Sequence, residues 1–330
     1  MKKILILFSK NCWFNFPKSI KDFFYYYKDF NDSNKMLDFP ASFRFEITNK
    51  CNADCIFCAR QYDNSKKSIM DLDLFTNGLK QYFDLGGKEI SLTPTIGEPF
   101  LDPLLFERIR IIKNLNSEAK ISFNTNGILL GNDDNISKLF ELGVDGIAIS
   151  TAGFDSEMFT RIYRTNGYLK IMNSLKILLI ENKKRGNPII ISIELRPDVN
   201  IFQVFKSADF KNYITPYLSL KKINWTYHYD NWGGSIKQSN LSGNMRLAKE
   251  PKRKLKTCRM LNHLVLKLNG DIQVCGCQIN PEKPDELSVG NIKQQSLKEI
   301  WTGAEINKIR MSFKTGHPPS VCEKCLGYRP

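Results

Sequence analysis

Three cysteines stand close together in the segment Cys51-Asn-Ala-Asp-Cys55-Ile-Phe-Cys58. This C-x3-C-x2-C spacing offers three thiolates from one turn-rich segment. A cubane iron–sulfur cluster takes four ligands. Three protein ligands leave one iron open, and an open coordination position is where a metal centre meets its substrate. Zinc is the competing use, but it favours paired C-x2-C knuckles with four closed ligands, and no fourth ligand lies nearby in the sequence. The spacing predicts a 4Fe–4S cluster on Cys51, Cys55 and Cys58.

Five of the nine cysteines form a second group: Cys258, Cys275, Cys277, Cys322 and Cys325. Asn269-Gly270 between two apolar runs is a hairpin signal that brings Cys258 and Cys275 toward one end. Cys322-Glu-Lys-Cys325 is a metal knuckle. Cys258, Cys275, Cys322 and Cys325 together suffice to close a site around one cluster or one zinc ion. Cys277 follows Cys275 by two residues and would share its strand face. It is an extra ligand, a spare thiol or a hydrogen-atom donor. Cys12 has no partner and reads as structural. A disulfide framework is a poor account of a chain of 330 residues with no export signal.

The elements that position these groups follow a strand–helix rhythm. Strands are expected at Arg44–Thr48, Glu89–Thr93, Lys120–Asn124, Ile147–Ser150, Ile189–Leu195 and Lys222–Tyr227. Helices are expected at Asp71–Phe83, Leu104–Asn114, Ile136–Leu142, Ser156–Lys184 with a break near Asn166-Gly167, and Ile201–Tyr217. Alternation of this kind implies a parallel sheet, since parallel strands need crossovers. Six units are too few to close an eight-fold barrel. The expected fold is α/β, a partial (βα)6 TIM-like barrel with a small C-terminal cluster-binding domain. The expected domains are an N-terminal extension over 1–40, the core barrel over 41–230, a linker over 231–257 and the cluster-binding domain over 258–330. Ligands in such sheets sit at the carboxyl ends of the strands. Glu194 and Arg196 end the fifth strand and His228 ends the sixth, so these three are candidate contacts to a polar substrate.

Hydrophobic residues make up 42% of the chain, enough for a packed core. The net charge is +14, spread along the chain apart from one cluster at Lys252-Arg253-Lys254 with Lys256. No nucleic-acid motif accompanies that cluster. No apolar run reaches the roughly 18 residues of a spanning helix. The start Met1-Lys2-Lys3 followed by Ile4–Phe8 is too short for a signal peptide and has no cleavage site. A cytoplasmic location is expected.

The segment Thr48-Asn49-Lys50-Cys51 through Cys58-Ala59-Arg60 resembles the signature of the radical S-adenosylmethionine (SAM) superfamily. The resemblance implies that SAM chelates the open iron and that an electron from the cluster cleaves it to a 5′-deoxyadenosyl radical. The organic chemistry then belongs to the cofactor. Thr95-Ile96-Gly97-Glu98-Pro99 is similar to the Gly-Gly-Glu segment that holds the SAM amine, with Ile96 in place of the first glycine. Asn124-Thr125-Asn126-Gly127 resembles the family's Thr-Asn-Gly. By resemblance Gly97, Glu98, Asn124, Ser150 and Arg164 bind SAM. The C-terminal cysteine pattern, with Val289–Ile292 and Leu297–Trp301, resembles the SPASM and twitch subfamilies. It implies one auxiliary 4Fe–4S cluster on Cys258, Cys275, Cys322 and Cys325.

The implied reaction is hydrogen abstraction from carbon. Oxidation of the substrate radical gives dehydrogenation, and hydrogen return from a thiol such as Cys277 gives epimerisation. Only about 40 residues precede the core, whereas peptide-modifying members carry a longer leader-binding domain. Gly276 stands where sulfatase-maturing members place aspartate. Both departures favour a small sugar, polyol or aminocyclitol over a ribosomal peptide as substrate. An external flavodoxin or ferredoxin would deliver the electron. The alternative of another class, a non-catalytic iron–sulfur carrier or scaffold, has no use for Gly97-Glu98.

Overall fold

The computed structural model describes residues 37–132, 134–249, 256–276, 285–323, 325 and 326. Cys12, Cys277, most of the N-terminal extension and the basic run at 252–254 lie outside the described residues.

The core runs through β1 (Ser42–Phe45), α1 (Leu72–Asp84), β2 (Glu89–Ser91), α2 (Leu105–Leu115), β3 (Lys120–Thr125), α3 (Asn135–Glu141) and β4 (Gly146–Thr151). It continues with α4 (Ser156–Tyr163), α5 (Tyr168–Lys184), β5 (Ile190–Leu195), α6 (Ile201–Lys206) and β6 (Ile223–Trp225). Strands β1 to β6 pair in sequence order, all parallel. The expected break in the long fourth helix falls at Arg164–Gly167. The expected helix over Ile201–Tyr217 is instead a short α6 followed by a π-helical turn at Phe210–Ile214. Ser207 causes the interruption: its hydroxyl accepts the Phe210 N–H at 3.2 Å, the side-chain competition typical of serine.

The remaining strands are β7 (His228–Tyr229), β8 (Arg246–Leu247), β9 (His263–Leu266), β10 (Asp271–Gln273) and β11 (Ser288–Asn291), followed by α7 (Leu297–Thr302) and α8 (Ala304–Thr315). β9 and β10 form the hairpin expected at Asn269-Gly270, and Gly270 takes the left-handed φ of 97° that this turn needs. β9 also pairs in parallel with β1, from Ser42↔His263 to Phe45↔Leu266. The C-terminal strands thus extend the core sheet, in the order β11-β10-β9-β1-β2-β3-β4-β5-β6.

The two faces of the sheet differ because the strands alternate. Phe43, Phe45, Ile90, Ile121, Phe123, Ile147, Ile149, Ile191 and Ile193 are buried under the helices. Phe45 meets Phe75 of α1 at 4.8 Å between ring centres, and Phe43 meets Tyr82 at 5.4 Å. Residues of opposite parity line the concave face and are mostly polar. No helix among the described residues is long and apolar enough to cross a membrane.

One buried ion pair braces the loop after β2. Asp102 accepts from Arg108 Nε at 2.7 Å, and both side chains are fully buried. The same guanidinium donates to the Met70 carbonyl and lies 4.8 Å from the Phe75 ring centre. Removing one partner leaves an uncompensated buried charge, which costs about 3–5 kcal/mol. Asp102→Ala is therefore expected to lower the urea midpoint followed by circular dichroism, and the double change Asp102→Leu with Arg108→Met to recover most of that loss. Equal midpoints for Asp102→Ala and the unaltered chain would show that the pair contributes nothing.

Candidate active site

The cysteine loop leaves β1 and is tied down on both sides. Thr48 Oγ1 donates to the Ser68 carbonyl at 2.9 Å. Buried Asn49 donates to Ser65 Oγ and the Lys66 carbonyl, both at 3.0 Å, and accepts from the Ser68 N–H at 2.8 Å. Between the cysteines, Ala53 and Ile56 are buried anchors. The N–H groups of Asp54 and Ile56 donate to the carbonyls of Tyr163 and Ile162, which seats the loop on the C-terminal end of α4.

Cys51, Cys55 and Cys58 are all free thiols, half-buried. Burial pushes Cys51 up to about 11, raises Cys58, and raises Cys55 well above the ordinary thiol value. The charges of Cys51 and Cys58 add to the shift of Cys55, so the three lie within electrostatic reach of one another. Three thiolates gathered in a desolvated place need a cationic centre, and an iron–sulfur cluster supplies one. Among the described residues no three His, Cys, Asp or Glu side chains converge on a single ion. A cubane takes each thiolate on a different iron.

The loop after β2 meets the cysteine loop by close backbone approach. A Cβ on Gly97 would lie 2.4 Å from the Thr48 carbonyl oxygen, so only glycine fits. The Glu98 N–H donates to the Lys50 carbonyl at 2.8 Å. Its carboxylate is 2% exposed and accepts from Thr125 Oγ1 at 2.6 Å, the Asn126 N–H at 2.8 Å and the Phe100 N–H at 3.3 Å. Glu98 therefore joins the ends of β2 and β3.

Asn124 points to the concave face, and its N–H donates to Thr93 Oγ1 at 3.0 Å. The residue that reaches the cysteines is Asn126, two positions on. Its Nδ2 donates to Asn52 Oδ1 at 2.7 Å and stands 3.9 Å from Cys51 Sγ. Ser150 Oγ is 2.8 Å from Tyr163 OH. Arg164, at a left-handed φ of 50°, reaches Gln61 Oε1 at 3.4 Å and Asp54 Oδ2 at 3.6 Å, so it braces the cysteine loop from α4.

Glu194 accepts from Asn224 Nδ2 at 2.8 Å and Ser192 Oγ at 3.4 Å. The Arg196 guanidinium lies 5.7 Å from the Phe57 ring centre, and its Nε is buried with no hydrogen-bond partner. It is a cation aimed at the loop between Cys55 and Cys58. His228 is exposed on β7, while its neighbour Tyr229 is buried and stacks on Phe57 at 5.2 Å. Alternation along the strand thus gives the inward position to Tyr229 and turns His228 to solvent. Phe57, Asn126 and Tyr229 are site residues that strand-end polarity did not single out. An aromatic between two clustered cysteines was the available signal for Phe57.

In the C-terminal part, Cys258, Cys275, Cys322 and Cys325 are half-buried. The Cys325 N–H donates to the Cys322 carbonyl at 3.2 Å, the turn expected of a knuckle. Gly276 packs against the core site. A Cβ there would lie 2.9 Å from Arg44 Nη1 and 3.4 Å from Thr95 Oγ1, so a larger residue would press on the loop before Gly97.

Burial pushes the Glu98 carboxyl up to about 7, against the pull of its three donors. An unfolded glutamate titrates near about 4.3. Between these values the folded chain holds a proton that the unfolded chain has released, so stability falls as pH rises through this window. The thermal midpoint is expected to drop from pH 5 to pH 8, and Glu98→Gln, which has no proton to lose, to flatten that slope. An unchanged slope in the variant would assign the effect to another group.

Comparison with known proteins agrees with this geometry. The radical SAM superfamily model matches residues 45–200, and the SPASM iron–sulfur cluster-binding domain matches residues 258–326. The tungsten-containing aldehyde ferredoxin oxidoreductase cofactor-modifying protein of Pyrococcus furiosus is 25% identical over 320 residues, 85% of each chain. The chain spans only 40–43% of the length of other curated relatives, the GTP 3′,8-cyclases of Chlorobaculum tepidum and Clostridium perfringens. Two solved structures share the fold. BtrN in complex with AdoMet and 2-DOIA has a TM-score of 0.55 at 18% identity, over 86% of this chain and 92% of that one. Native anSMEcpe with bound AdoMet and Kp18Cys peptide has 0.57 at 16% identity, over 87% and 88%. The radical SAM domain binds a 4Fe–4S cluster and SAM, and the SPASM domain binds further iron–sulfur. The protein belongs to the radical SAM superfamily and bears a SPASM-type auxiliary domain at the C-terminal end of its core.

Proposed function

We propose that this enzyme removes hydrogen from carbon on a small polar molecule of the sugar, polyol or aminocyclitol class, giving dehydrogenation or epimerisation. The concave face of the sheet is the observation that carries the reading. The strand register aligns Arg44, Ser91 and Ser122 in one row, and Ser150, Glu194 and Asn224 in another. This face offers hydroxyls, an amide, a carboxylate and a cation in place of an apolar lining. Such groups suit a ligand dense in hydroxyls or amines, since a site built of hydrogen-bonding groups rejects ligands that leave them unpaired. Among the described residues Arg44 forms no ion pair, so its charge remains available to a ligand.

Cys51, Cys55 and Cys58 would hold the SAM-binding cluster, and Cys258, Cys275, Cys322 and Cys325 the auxiliary one. When bound, these groups supply a 5′-deoxyadenosyl radical for hydrogen abstraction and an exit for an electron. The chain must then orient the substrate and accept a proton. Glu194, held by Asn224 and Ser192 on the concave face, is the proposed proton acceptor for dehydrogenation. Arg196, above Phe57, is the proposed clamp on an anionic group of SAM or substrate. Cys277 remains the proposed hydrogen donor for epimerisation. A flavodoxin or ferredoxin is the proposed electron source, its acidic surface complementary to the net charge of +14. The proposed place of action is the cytoplasm.

After anaerobic reconstitution we expect about eight irons and eight sulfides per chain, as two cubanes. Changing Cys51, Cys55 and Cys58 together to Ala is expected to remove about half of the iron and to abolish 5′-deoxyadenosine formation; formation that persists would refute the site. With a panel of aminocyclitols, polyols and sugars, 5′-deoxyadenosine and an oxidised or epimerised product are expected in step. Glu194→Gln is expected to keep SAM cleavage but lose about 10²-fold or more in oxidised product. Turnover of a peptide with no polyol consumed would move the enzyme to peptide maturation.

A further inference from the structure

The segment that follows β7 touches both cysteine sites. Asp230 Oδ2 lies 3.9 Å from Cys325 Sγ, in the C-terminal knuckle. The other oxygen of the same carboxylate accepts the Trp232 N–H at 2.7 Å. The Trp232 indole then donates from Nε1 to the Phe57 carbonyl at 3.1 Å. That carbonyl belongs to the peptide bond leading into Cys58. Tyr229, the residue before Asp230, stacks on the Phe57 ring at 5.2 Å. Tyr229 and Trp232 thus contact Phe57 through its side chain and its backbone, and Asp230 between them lies beside Cys325.

The conformation of this strap is unusual. Trp232 has a φ of 50°, and Gly233 and Gly234 continue at 67° and 99°. A bulky residue in the left-handed region is an outlier that persists only when its surroundings over-determine it. Here they do. The Asp230 carboxylate closes the turn, the Asn231 carbonyl accepts from Gly234 and Ile236 at 3.0 and 2.9 Å, and the indole is fixed by the Phe57 carbonyl. A hydrogen bond bridging 175 residues of sequence holds the cysteine loop at Phe57.

We propose that Trp232 is a positioning residue that couples the two cluster sites, so that a filled auxiliary site tightens SAM binding at the first. The proposal rests on the assignment of Cys51, Cys55 and Cys58 to the SAM-binding cluster and of Cys325 to the auxiliary one. A cluster on Cys325 takes the thiol proton and orders the knuckle, which leaves the Asp230 carboxylate to the Trp232 N–H. Asp230 holds the turn that aims the indole, and the indole fixes the peptide before Cys58. Disorder of the knuckle, or loss of the indole's bond, frees the cysteine loop to wander, and SAM must then order it on binding.

The test uses anaerobically purified protein loaded at both sites. It measures the SAM dissociation constant by equilibrium dialysis and the SAM-induced change in the electron paramagnetic resonance spectrum of the reduced protein. Trp232→Phe keeps an aromatic ring and removes the donor. It is expected to keep both clusters, to weaken SAM binding about 3- to 10-fold, the range of one lost hydrogen bond, and to broaden the SAM-bound spectrum. Trp232→His, which keeps a ring N–H, is expected to bind SAM within about 2-fold of the unaltered chain. Cys322→Ala, which empties the auxiliary site, is expected to weaken SAM binding by a similar factor, and to add nothing when combined with Trp232→Phe. Additive effects in the double variant, or unaltered affinity in Trp232→Phe, would overturn the coupling. If Trp232→Phe cannot hold the SAM-binding cluster, retention by Trp232→His supports the role of the donor and loss in both overturns it. An unaltered chain that binds no SAM would instead refute the assignment of the cysteines.

Discussion

The active site depends on the satisfaction of one buried carboxylate. Glu98 sits at the meeting of the loops that follow β1, β2 and β3, almost fully removed from water. A carboxylate there needs donors, and it finds them on Thr125, Asn126 and Phe100. Its own N–H closes on the Lys50 carbonyl, beside the first cysteine. One residue thus fixes the relative positions of three strand ends. The cysteines can be held by a loop because that loop is pinned to its neighbours.

Pairing between β9 and β1 extends this arrangement to the auxiliary domain. A separate small domain would have had to assemble a core from modest means. Instead its first strand takes up the open edge of β1 and shares the core's apolar layer: Leu264 and Leu266 are fully buried in the same cluster as Phe43 and Phe45. Covering that edge also removes an unpaired strand from solvent. Lys267 reinforces the join through an ion pair with nearly buried Glu46 at 2.7 Å. Gly276 can then approach Arg44 and Thr95 closely, which brings the chain next to Cys275 against the loop before Gly97.

Much of this was legible in the sequence, for reasons that particular residues make clear. The cysteine spacings, the alternation in Lys120–Thr125 and the Asn-Gly turn are local signals with local causes. The strand order of the core follows from right-handed crossovers between consecutive strands. What escaped were facts set by three-dimensional neighbours. His228 and Tyr229 differ by one position in a two-residue strand, and nothing local says which faces inward. Asn124 and Asn126 share a motif, but only the turn at Gly127 carries the second toward Cys51. The junction of β9 with β1 joins residues more than 200 positions apart, and no periodicity announces it.

The two faces of the sheet divide responsibility between folding and recognition. The outer face holds the isoleucines and phenylalanines on which folding relies, while the inner face is furnished with serine, asparagine and alanine that bury little. Changes of inner residues leave the helix-covered layer intact, so they are cheap in folding free energy. A lineage with this scaffold is therefore free to drift from one substrate to another along the inner face without passing through unstable intermediates. Kinship in such proteins will track the outer face, and chemistry the inner one.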